Sequence, residues 1–226
     1  MVIDKRIKES KLNPFFFNRL FAWVFFGFAT AYMLTLTLRP YPLSYMVKSI
    51  PIFCLAIFAW RNLPGKRGKL LFFGFFLSGL GDIFLEFPSK NFFMAGMGFF
   101  TMAHLFYISV FLGRPTLNLG RGMALVLILA YSLGFGIFLF PKLGDMMLPI
   151  CLYLGVISIM GISACLGRHN HPLVILGASL FIISDSIIAY TLFVSPVYLS
   201  SLWVMTTYYL AQLLLALGCM KMSSQH

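Results

Sequence analysis

Charged residues are scarce in this sequence. Only 10% of its 226 residues are Asp, Glu, Lys or Arg, whereas about a quarter of the residues in a soluble domain are charged. Acidic residues are rarer still, with six Asp and Glu against 17 Lys and Arg. So few polar side chains could not cover a water-facing surface. An ordinary soluble domain is therefore excluded.

Metal-binding and disulfide patterns are also lacking. The four cysteines form no CxxC pair, and His169, His171 and His226 lie outside the apolar runs. A zinc hydrolase needs about three protein ligands around an open position, and no GxSxG nucleophile motif occurs. The sequence therefore argues against a disulfide framework, a metal site and a serine hydrolase. We expect no metal and no cofactor.

Long apolar runs fill the chain instead. Hydrophobic residues make up 60% of it, in stretches that match the roughly 20 residues needed for a membrane-spanning helix. The alternation over about 10 residues that is typical of barrel strands is absent, and turn residues such as Arg39-Pro40-Tyr41-Pro42 separate the runs. We predict an all-α membrane protein, a bundle of eight transmembrane helices in a single domain over residues 1–226. The predicted elements are a short basic segment 1–14 and helices at 15–38, 43–60, 69–87, 92–112, 122–140, 146–166, 173–194 and 199–220.

The basic residues are distributed unevenly between the predicted loops. The N-terminal stretch, the even-numbered loops and the C-terminus hold thirteen Lys and Arg, whereas the odd-numbered loops hold three, Arg39, Lys90 and Lys142. Because basic residues of short loops concentrate on the cytoplasmic side, both termini are predicted to be cytoplasmic. In a soluble protein the net charge of +11 would suggest a nucleic-acid partner. Here it is a topology signal, and no nucleic acid is expected.

The first apolar segment resembles a signal peptide in two respects. It follows a basic opening, and Ala29-Thr30-Ala31 looks like a cleavage site. However, the apolar run continues to Leu38, beyond the roughly 7–15 residues of a signal-peptide core. We therefore predict an anchor helix. The short loops favour a bacterial inner membrane, with an internal eukaryotic membrane as the alternative.

Few ionisable or strongly polar side chains lie inside the predicted helices. Ionisable groups at that depth cost about 2.5–3.5 kcal/mol each and are usually paired or functional. Counting a rise of ~1.5 Å per residue from the cytoplasmic helix ends puts Asp82, Asp185 and Tyr208 in one layer, with an imidazole and an amide below. The candidate site residues are Lys48, Asp82, Glu86, His104, Tyr107, Ser184, Asp185, Tyr208 and Gln212.

Each candidate also has a purely structural interpretation, which is stronger for some of these residues than for others. Lys48 and Glu86 lie near helix ends, where snorkelling or surface pairing is the simpler explanation. His104 suits a structural hydrogen bond as well as substrate contact. Asp82 and Asp185 are the strongest candidates, because we expect no cation other than His104 at their depth.

Two buried carboxyl groups can act together as an acid and a base. In a low-dielectric site they rarely both ionise, so one can serve as general acid and the other as base or cation stabiliser. Glycosidases use this division to cleave acetals through an oxocarbenium-like state. A membrane-embedded pair would suit a lipid with an acid-labile ether.

Several motifs resemble those of the YhhN-like family of lysoplasmalogenases. Gly81-Asp82-Ile83-Phe84-Leu85 resembles its GDxxL motif, and residues 98–107 resemble its F-x-x-A-H-L-x-Y segment. Residues 177–186 are similar to its GAxLFxxSDS motif, and residues 208–212 to its Y-Y-x-A-Q. Lys48-Ser49-Ile50-Pro51 resembles its K-P-x-P, with Ser where Pro is common. The motifs occur in order, over roughly residues 40–220.

The resemblance implies an ether hydrolase. Its members hydrolyse the vinyl-ether bond of lysoplasmalogens to a fatty aldehyde and glycerophosphoethanolamine or glycerophosphocholine, so a lysophospholipid substrate and membrane lipids are the expected partners. Asp82 and Asp185 would be the catalytic residues, in either order. The residues expected to bind or orient the substrate are His104, Tyr208, Gln212, Lys48, Ser184, Tyr107 and Glu86.

Other functions remain open at this level. A proton-coupled transporter of small molecules or lipids would use the same buried Asp and His residues as a relay. A non-catalytic lipid-binding or assembly protein is a third possibility, for which helix-packing glycines suffice. Asp82 and Asp185 lie four helices apart, as in a repeat of two four-helix halves, although coincidence explains this spacing equally well.

Overall fold

The computed structural model describes residues 14–63 and 65–223. These residues form eight α-helices and no β-strand, which confirms the predicted helix number and all-helical class. The helices are α1 (Pro14–Leu34), α2 (Ser44–Asn62), α3 (Gly65–Leu85), α4 (Lys90–Phe111), α5 (Leu119–Leu139), α6 (Met147–Leu166), α7 (Pro172–Phe193) and α8 (Ser200–Ser223). Short 3-10 turns lie at Leu36–Leu38, Phe140–Lys142 and Gly144–Met146. The predicted basic segment 1–14 lies, except for Pro14, outside the described residues.

Six of the helices, α3 to α8, are long and apolar enough to cross a membrane. Large apolar side chains point away from the protein on several helices: Trp23 is 78% exposed, Leu127 67% and Ile137 75%. Apolar surface of this extent is not found on soluble monomers, but it suits contact with lipid. The chain is therefore a multi-pass membrane protein.

Six helices close into a ring. α2 packs against α3, α3 against α4, α4 against α6, α6 against α7, α7 against α8, and α8 returns to α2. α1 lies outside the ring against α2 and α8, and α5 lies outside against α6 and α7. Helices α4 and α6 are thus neighbours although α5 separates them in the chain, and the ring encloses the space in which the polar side chains meet.

Two helix ends differ from the prediction by four residues, and the others by three or fewer. α1 ends at Leu34, where the Thr35 hydroxyl donates to the carbonyl of Ala31, and a 3-10 turn replaces the expected continuation to 38. α3 begins at Gly65 rather than 69. Gly65 has φ of +68°, a conformation that favours glycine. Lys66, Arg67 and Lys69 lie in the first turns of α3, and their charge hides this part of the helix from a search for apolar segments.

Two pairs of neighbouring helices, α3–α4 and α7–α8, each make a close contact at a glycine. A Cβ on Gly81 of α3 would lie 2.7 Å from the ring of Phe100 on α4. A Cβ on Gly177 of α7 would lie 3.0 Å from the carbonyl oxygen of Ala211 on α8. Small residues let helices approach closely in a membrane. The first of these contacts places Asp82, the next residue, directly beside the α3–α4 interface.

Candidate active site

Asp82 on α3 and Asp185 on α7 line the same internal chamber of the ring. The chamber has a cavity volume of about 70 Å³, and residues of α2, α3, α4, α6, α7 and α8 form its wall. Apart from Lys48, Tyr153, Ser184, Tyr208 and the two carboxylates, the wall is apolar. Its apolar residues are Leu85, Phe93, Met97, Phe100, Ile150, Leu154, Ile188, Ala189, Phe193, Val204 and Met205.

Asp82 is buried and contacts two polar groups. The hydroxyl of Tyr208 donates to its Oδ2 at 2.6 Å, and the ammonium of Lys48 lies 3.7 Å from its Oδ1. The expectation that no cation other than His104 lies at this depth is therefore wrong. Lys48 lies near the N-terminal end of α2, but its long, flexible side chain carries the ammonium toward the middle of the bundle, to the carboxylate.

A chain of hydrogen bonds supports Tyr208 from behind. The Gln212 side-chain amide donates to the Tyr208 hydroxyl at 3.2 Å, and the Tyr107 hydroxyl donates to Gln212 Oε1 at 3.0 Å. Ser78 shares a hydrogen bond of 3.2 Å with Tyr107. Gln212 and Tyr107 are buried and do not line the chamber. Their position thus fits orientation of Tyr208 and not contact with a bound molecule.

Asp185 has a parallel arrangement on the opposite side of the chamber. The hydroxyl of Tyr153 donates to its Oδ2, and His104 Nε2 lies 3.1 Å from the same hydroxyl. When the Tyr153 hydroxyl donates to Asp185, the bond to His104 requires the tautomer with the ring proton on Nε2. His104 is fully buried behind Tyr153 and does not line the chamber.

Glu86 and Lys48 belong to an ion-pair network at the outer side of Asp82. Lys48 Nζ lies 3.7 Å from Glu86 Oε2, and Arg39 Nη1 lies 3.6 Å from the same oxygen. The Tyr32 hydroxyl donates to it at 2.8 Å. Lys48 therefore bridges the carboxylate of Asp82 on α3 and that of Glu86, the first residue after α3.

Ser184 contributes differently from the other polar residues. It lines the chamber beside Asp185, but its hydroxyl donates to the backbone carbonyl of Val204 at 3.1 Å. This bond ties α7 to α8 next to the carboxylate.

Three residues that contact the carboxylates were not among the sequence candidates. Tyr153 contacts Asp185, while Arg39 and Tyr32 contact Glu86. Tyr153 lies about two turns inside α6, so the depth count used for Tyr208 would have found it. Arg39 was counted only as a topology signal, and nothing in the sequence distinguishes Tyr32 from an interfacial aromatic residue.

A second, outer space opens onto the chamber, and we call it the vestibule. It has a cavity volume of about 530 Å³ and is lined by Arg39, Lys48, Leu85, Phe87, Pro88, Ser89, Lys90, Phe93, Met146, Ile188, Thr191, Leu192, Phe193, Ser200, Ser201, Val204 and Met205. Lys48 and six apolar residues line both spaces. Residues in or beside all four odd-numbered connections surround the vestibule, so these connections lie at one end of the bundle.

The described part of the chain contains no disulfide and no cluster of metal-binding side chains. All four cysteines are free thiols. No group of three or more His, Cys, Asp or Glu side chains within residues 14–63 and 65–223 could hold a metal ion.

Comparison with known proteins places these residues in a family. The YhhN family model matches residues 43–219. Lysoplasmalogenase TMEM86A of Bos taurus is 34% identical over 194 residues, which cover 79% of this chain and 78% of the relative. Lysoplasmalogenase TMEM86B of Homo sapiens is 35% identical over 177 residues, or 78% and 75% of the two chains. The lysoplasmalogenase of Mycobacterium tuberculosis (strain CDC 1551 / Oshkosh) is 31% identical over 140 residues, or 59% and 54%. No solved structure matches the chain significantly. The protein belongs to the YhhN family.

Proposed function

We propose that this protein is a lysoplasmalogenase, an ether hydrolase that cleaves the vinyl-ether bond of lysoplasmalogen. The products are a fatty aldehyde and glycerophosphoethanolamine or glycerophosphocholine. The names of the mammalian and mycobacterial relatives support the activity. The observation that carries the proposal is the chamber, which brings the carboxylates of Asp82 and Asp185 together within an apolar wall.

We propose different roles for the two carboxylates, and the charges around them support this proposal. Asp82 contacts the ammonium of Lys48 at 3.7 Å, which offsets the charge of its ionised form. In the described part of the chain no ion pair within 4.0 Å is formed by Asp185. The carboxyl of Asp185 is therefore the neutral acid in the resting site, and that of Asp82 is the carboxylate.

The first step is carbon protonation. The carboxylic acid of Asp185 donates its proton to the β-carbon of the vinyl ether, whose double-bond electrons form the new C–H bond. The α-carbon and the ether oxygen then share the positive charge of an oxocarbenium ion. The carboxylate of Asp82 stabilises this cation, which is the charge that develops in the transition state.

Water completes the reaction and restores the site. As its oxygen bonds to the α-carbon, water transfers a proton to Asp82 and a hemiacetal forms. The hemiacetal hydroxyl then gives its proton to Asp185, the bond to the glycerol oxygen breaks, and Asp82 protonates that oxygen. Asp185 ends protonated and Asp82 ionised, as at the start. One water is consumed for each aldehyde released.

The tyrosines keep the carboxylates in place through this exchange of protons. A phenol hydroxyl both donates and accepts, so Tyr208 and Tyr153 can hold Asp82 and Asp185 in either protonation state. Gln212 and Tyr107 orient Tyr208, and His104 orients Tyr153. Ser184 fixes the backbone beside Asp185. The apolar wall limits water and strengthens each electrostatic contact.

We further propose that α1 and α2 also cross the membrane, which gives eight spanning helices with both termini in the cytoplasm of a bacterium. Thirteen Lys and Arg in the N-terminal stretch, even loops and C-terminus against three in the odd loops support this orientation in an inner membrane. The vestibule then faces away from the cytoplasm. Reaction of single introduced cysteines with an impermeant thiol reagent, first at positions 90 and 168, tests the orientation.

A repeat of two four-helix halves is consistent with the helix contacts. The helix pairs α1–α2, α2–α3, α3–α4 and α4–α6 pack together. If four is added to each helix number, with α1 following α8, they become α5–α6, α6–α7, α7–α8 and α8–α2. These four pairs also pack together. The same shift relates Asp82, contacted from α2 and α8, to Asp185, contacted from α6 and through it from α4. We propose that the halves are related by a pseudo-twofold axis through the chamber.

The test is aldehyde release by the purified protein in detergent. We expect wild type to release aldehyde from lysoplasmalogen, and both Asp82→Asn and Asp185→Asn to reduce the rate at least 1000-fold while remaining folded. The matched control is Asp145→Asn, since Asp145 is exposed in the α5–α6 connection. This variant should keep the wild-type rate.

Other results would point elsewhere. Aldehyde release that survives both aspartate substitutions would refute the two-carboxylate mechanism. A protein that releases no aldehyde but moves a solute across liposomes in a proton-dependent manner would be a carrier that uses the same residues.

A further inference from the structure

We propose that the vestibule is a binding site for the phosphate group of a glycerol phosphate ester, with Arg39 as its principal ligand and Lys90 as a second cation. This inference rests on the proposed function for the identity of the bound lipid. Arg39 and Lys90 would thus determine that the substrate carries a phosphate, while the chamber determines which bond is cleaved.

The lining of the vestibule has the chemistry of an anion site. Three cations, Arg39, Lys48 and Lys90, line it together with the hydroxyl residues Ser89, Thr191, Ser200 and Ser201. Among the described residues that line it there is no carboxylate. The two nearby acids, Asp82 and Glu86, contact Lys48 and Arg39 from behind. The three lining cations against the two carboxylates that contact them leave a net charge of +1 among these five groups.

Arg39 is held in a fixed orientation with part of its hydrogen-bonding capacity unused. Its Nη1 donates to the Tyr32 hydroxyl and its Nη2 to Ser201 Oγ, both at 2.9 Å. Its Nε donates to the carbonyl of Leu36 at 3.4 Å. A guanidinium has five N–H donors, so one hydrogen on each Nη makes no hydrogen bond to the described residues, and Nη1 also lies 3.6 Å from Glu86 Oε2. Two such donors in a planar fork match two oxygens of a phosphate.

The distance from Arg39 to the carboxylate of Asp82 suits one lipid molecule. Arg39 Nη1 lies at most about 11 Å from Asp82 Oδ1, because contacts of 3.6, 3.7 and 3.7 Å connect them through Glu86 and Lys48. In lysoplasmalogen, seven bonds separate the phosphorus from the vinyl β-carbon, roughly 9 Å when extended with bonds of about 1.5 Å. A phosphate on Arg39 therefore leaves the vinyl ether within reach of the chamber.

The binding test uses ligands that cannot be hydrolysed. A 1-alkyl-glycerophosphoethanolamine and a 1-alkylglycerol differ in the phosphate-containing headgroup and share the chain and the saturated ether. We expect wild type in nanodiscs to bind the phosphate-bearing ligand about 10- to 100-fold more tightly, as for a charge-assisted hydrogen-bond pair. Arg39→Gln should reduce this ratio to about 1, and Lys90→Gln should reduce it about threefold to tenfold.

The control and a second variant separate recognition from folding. Lys142→Gln removes a cation from another odd-numbered connection, outside the vestibule lining, and should keep the wild-type ratio. Lys90 is exposed at the first residue of α4, so Lys90→Gln tests the site even if Arg39→Gln destabilises the protein. Equal weakening of both ligands by Arg39→Gln, or an unchanged ratio in both variants, would overturn the proposal.

Two further comparisons show whether the phosphate site or the proposed hydrolase activity is refuted. Binding preference without aldehyde release would leave the phosphate site standing and refute the hydrolase, whereas aldehyde release without a binding preference would do the reverse. Inorganic phosphate at millimolar concentration should not compete with the phosphate-bearing ligand. Competition that Arg39→Gln abolishes would assign the site to free phosphate and overturn its assignment to a lipid headgroup.

Discussion

The hydroxyl of Tyr208 donates a 2.6 Å hydrogen bond to Oδ2 of Asp82, and so joins α8 to α3 across 126 positions of the sequence. Tyr153 of α6 makes the corresponding bond to Asp185 of α7. Each carboxylate is thus held by a phenol from a different helix. Because the two phenols belong to separate hydrogen-bond networks, the contribution of each carboxylate can be tested separately.

Tyr208→Phe should reduce kcat for aldehyde release about 10- to 100-fold. The substitution removes a hydrogen bond to a charged group, worth about 1.5–3 kcal/mol, and leaves the amide of Gln212 without its acceptor. Initial rates of the purified variant measure the effect. Tyr198→Phe is the control, since Tyr198 is 85% exposed, and its kcat should be unchanged. A wild-type kcat in Tyr208→Phe would show that Asp82 needs no support from the phenol.

His104 should act only through Tyr153. His104→Leu removes one neutral hydrogen bond, about 1 kcal/mol, and should lower kcat about fivefold in the wild-type background. In the Tyr153→Phe background, the same change should have little further effect, because no hydroxyl remains to orient. A double-mutant cycle of kcat values measures this coupling. Additive losses would mean that His104 reaches the substrate by another route.

The helix content of the fold could be predicted because apolar runs of spanning length are a strong signal. The helix ends were harder. At Gly65 the first turns of α3 carry Lys66, Arg67 and Lys69, so apolarity alone places its start too late. The order of helices around the ring could not be predicted either. Packing between helices depends on side-chain shape, and nothing in hydropathy shows that α4 meets α6 across α5.

The site residues that could be predicted from the sequence are those whose burial in a membrane costs the most free energy. Asp82 and Asp185 stand out because ionisable groups at that depth need a reason. Tyr153 is not costly there, so its contact with Asp185 depends on the packing of α6 against α7. Lys48 was judged from the position of its backbone, and its long side chain moves the charge inward to Asp82.

Lys48→Met should destabilise the protein more than a typical single substitution. The ammonium lies 3.7 Å from an oxygen of both Asp82 and Glu86, and its loss leaves two buried carboxylates with less compensating charge. Removing one partner of a buried ion pair costs about 3–5 kcal/mol. Thermal unfolding in detergent, followed by intrinsic fluorescence, should show a clearly lower apparent Tm.

A second substitution separates the charge effect from lost packing. Glu86→Gln in the Lys48→Met background removes one of the two uncompensated carboxylates, so the apparent Tm should recover in part. Lys48→Arg keeps the charge and should remain close to wild type. If the double variant unfolds at a lower temperature than Lys48→Met alone, repulsion between carboxylates is not the cause of the loss.

Gly81→Ala should lower both stability and activity, since the added methyl has no room. Its Cβ would lie 2.7 Å from the ring of Phe100 and 3.2 Å from the carbonyl oxygen of Gly96. Overpacking of this kind costs about 1–3 kcal/mol. The shift that relieves it would move Asp82, the next residue, relative to Tyr208. A displacement of about 1 Å can reduce a rate by about 100-fold.

Gly98→Ala on the facing helix α4 is the matched control. A Cβ at Gly98 meets no atom within 4 Å, and alanine is a better helix former than glycine by roughly 0.5–1 kcal/mol. This variant should unfold at or slightly above the wild-type temperature and keep its kcat. The two glycines belong to neighbouring helices and receive the same methyl group, so a difference between them measures the α3–α4 contact. If both variants retain wild-type kcat, then the close approach at Gly81 does not set the position of Asp82.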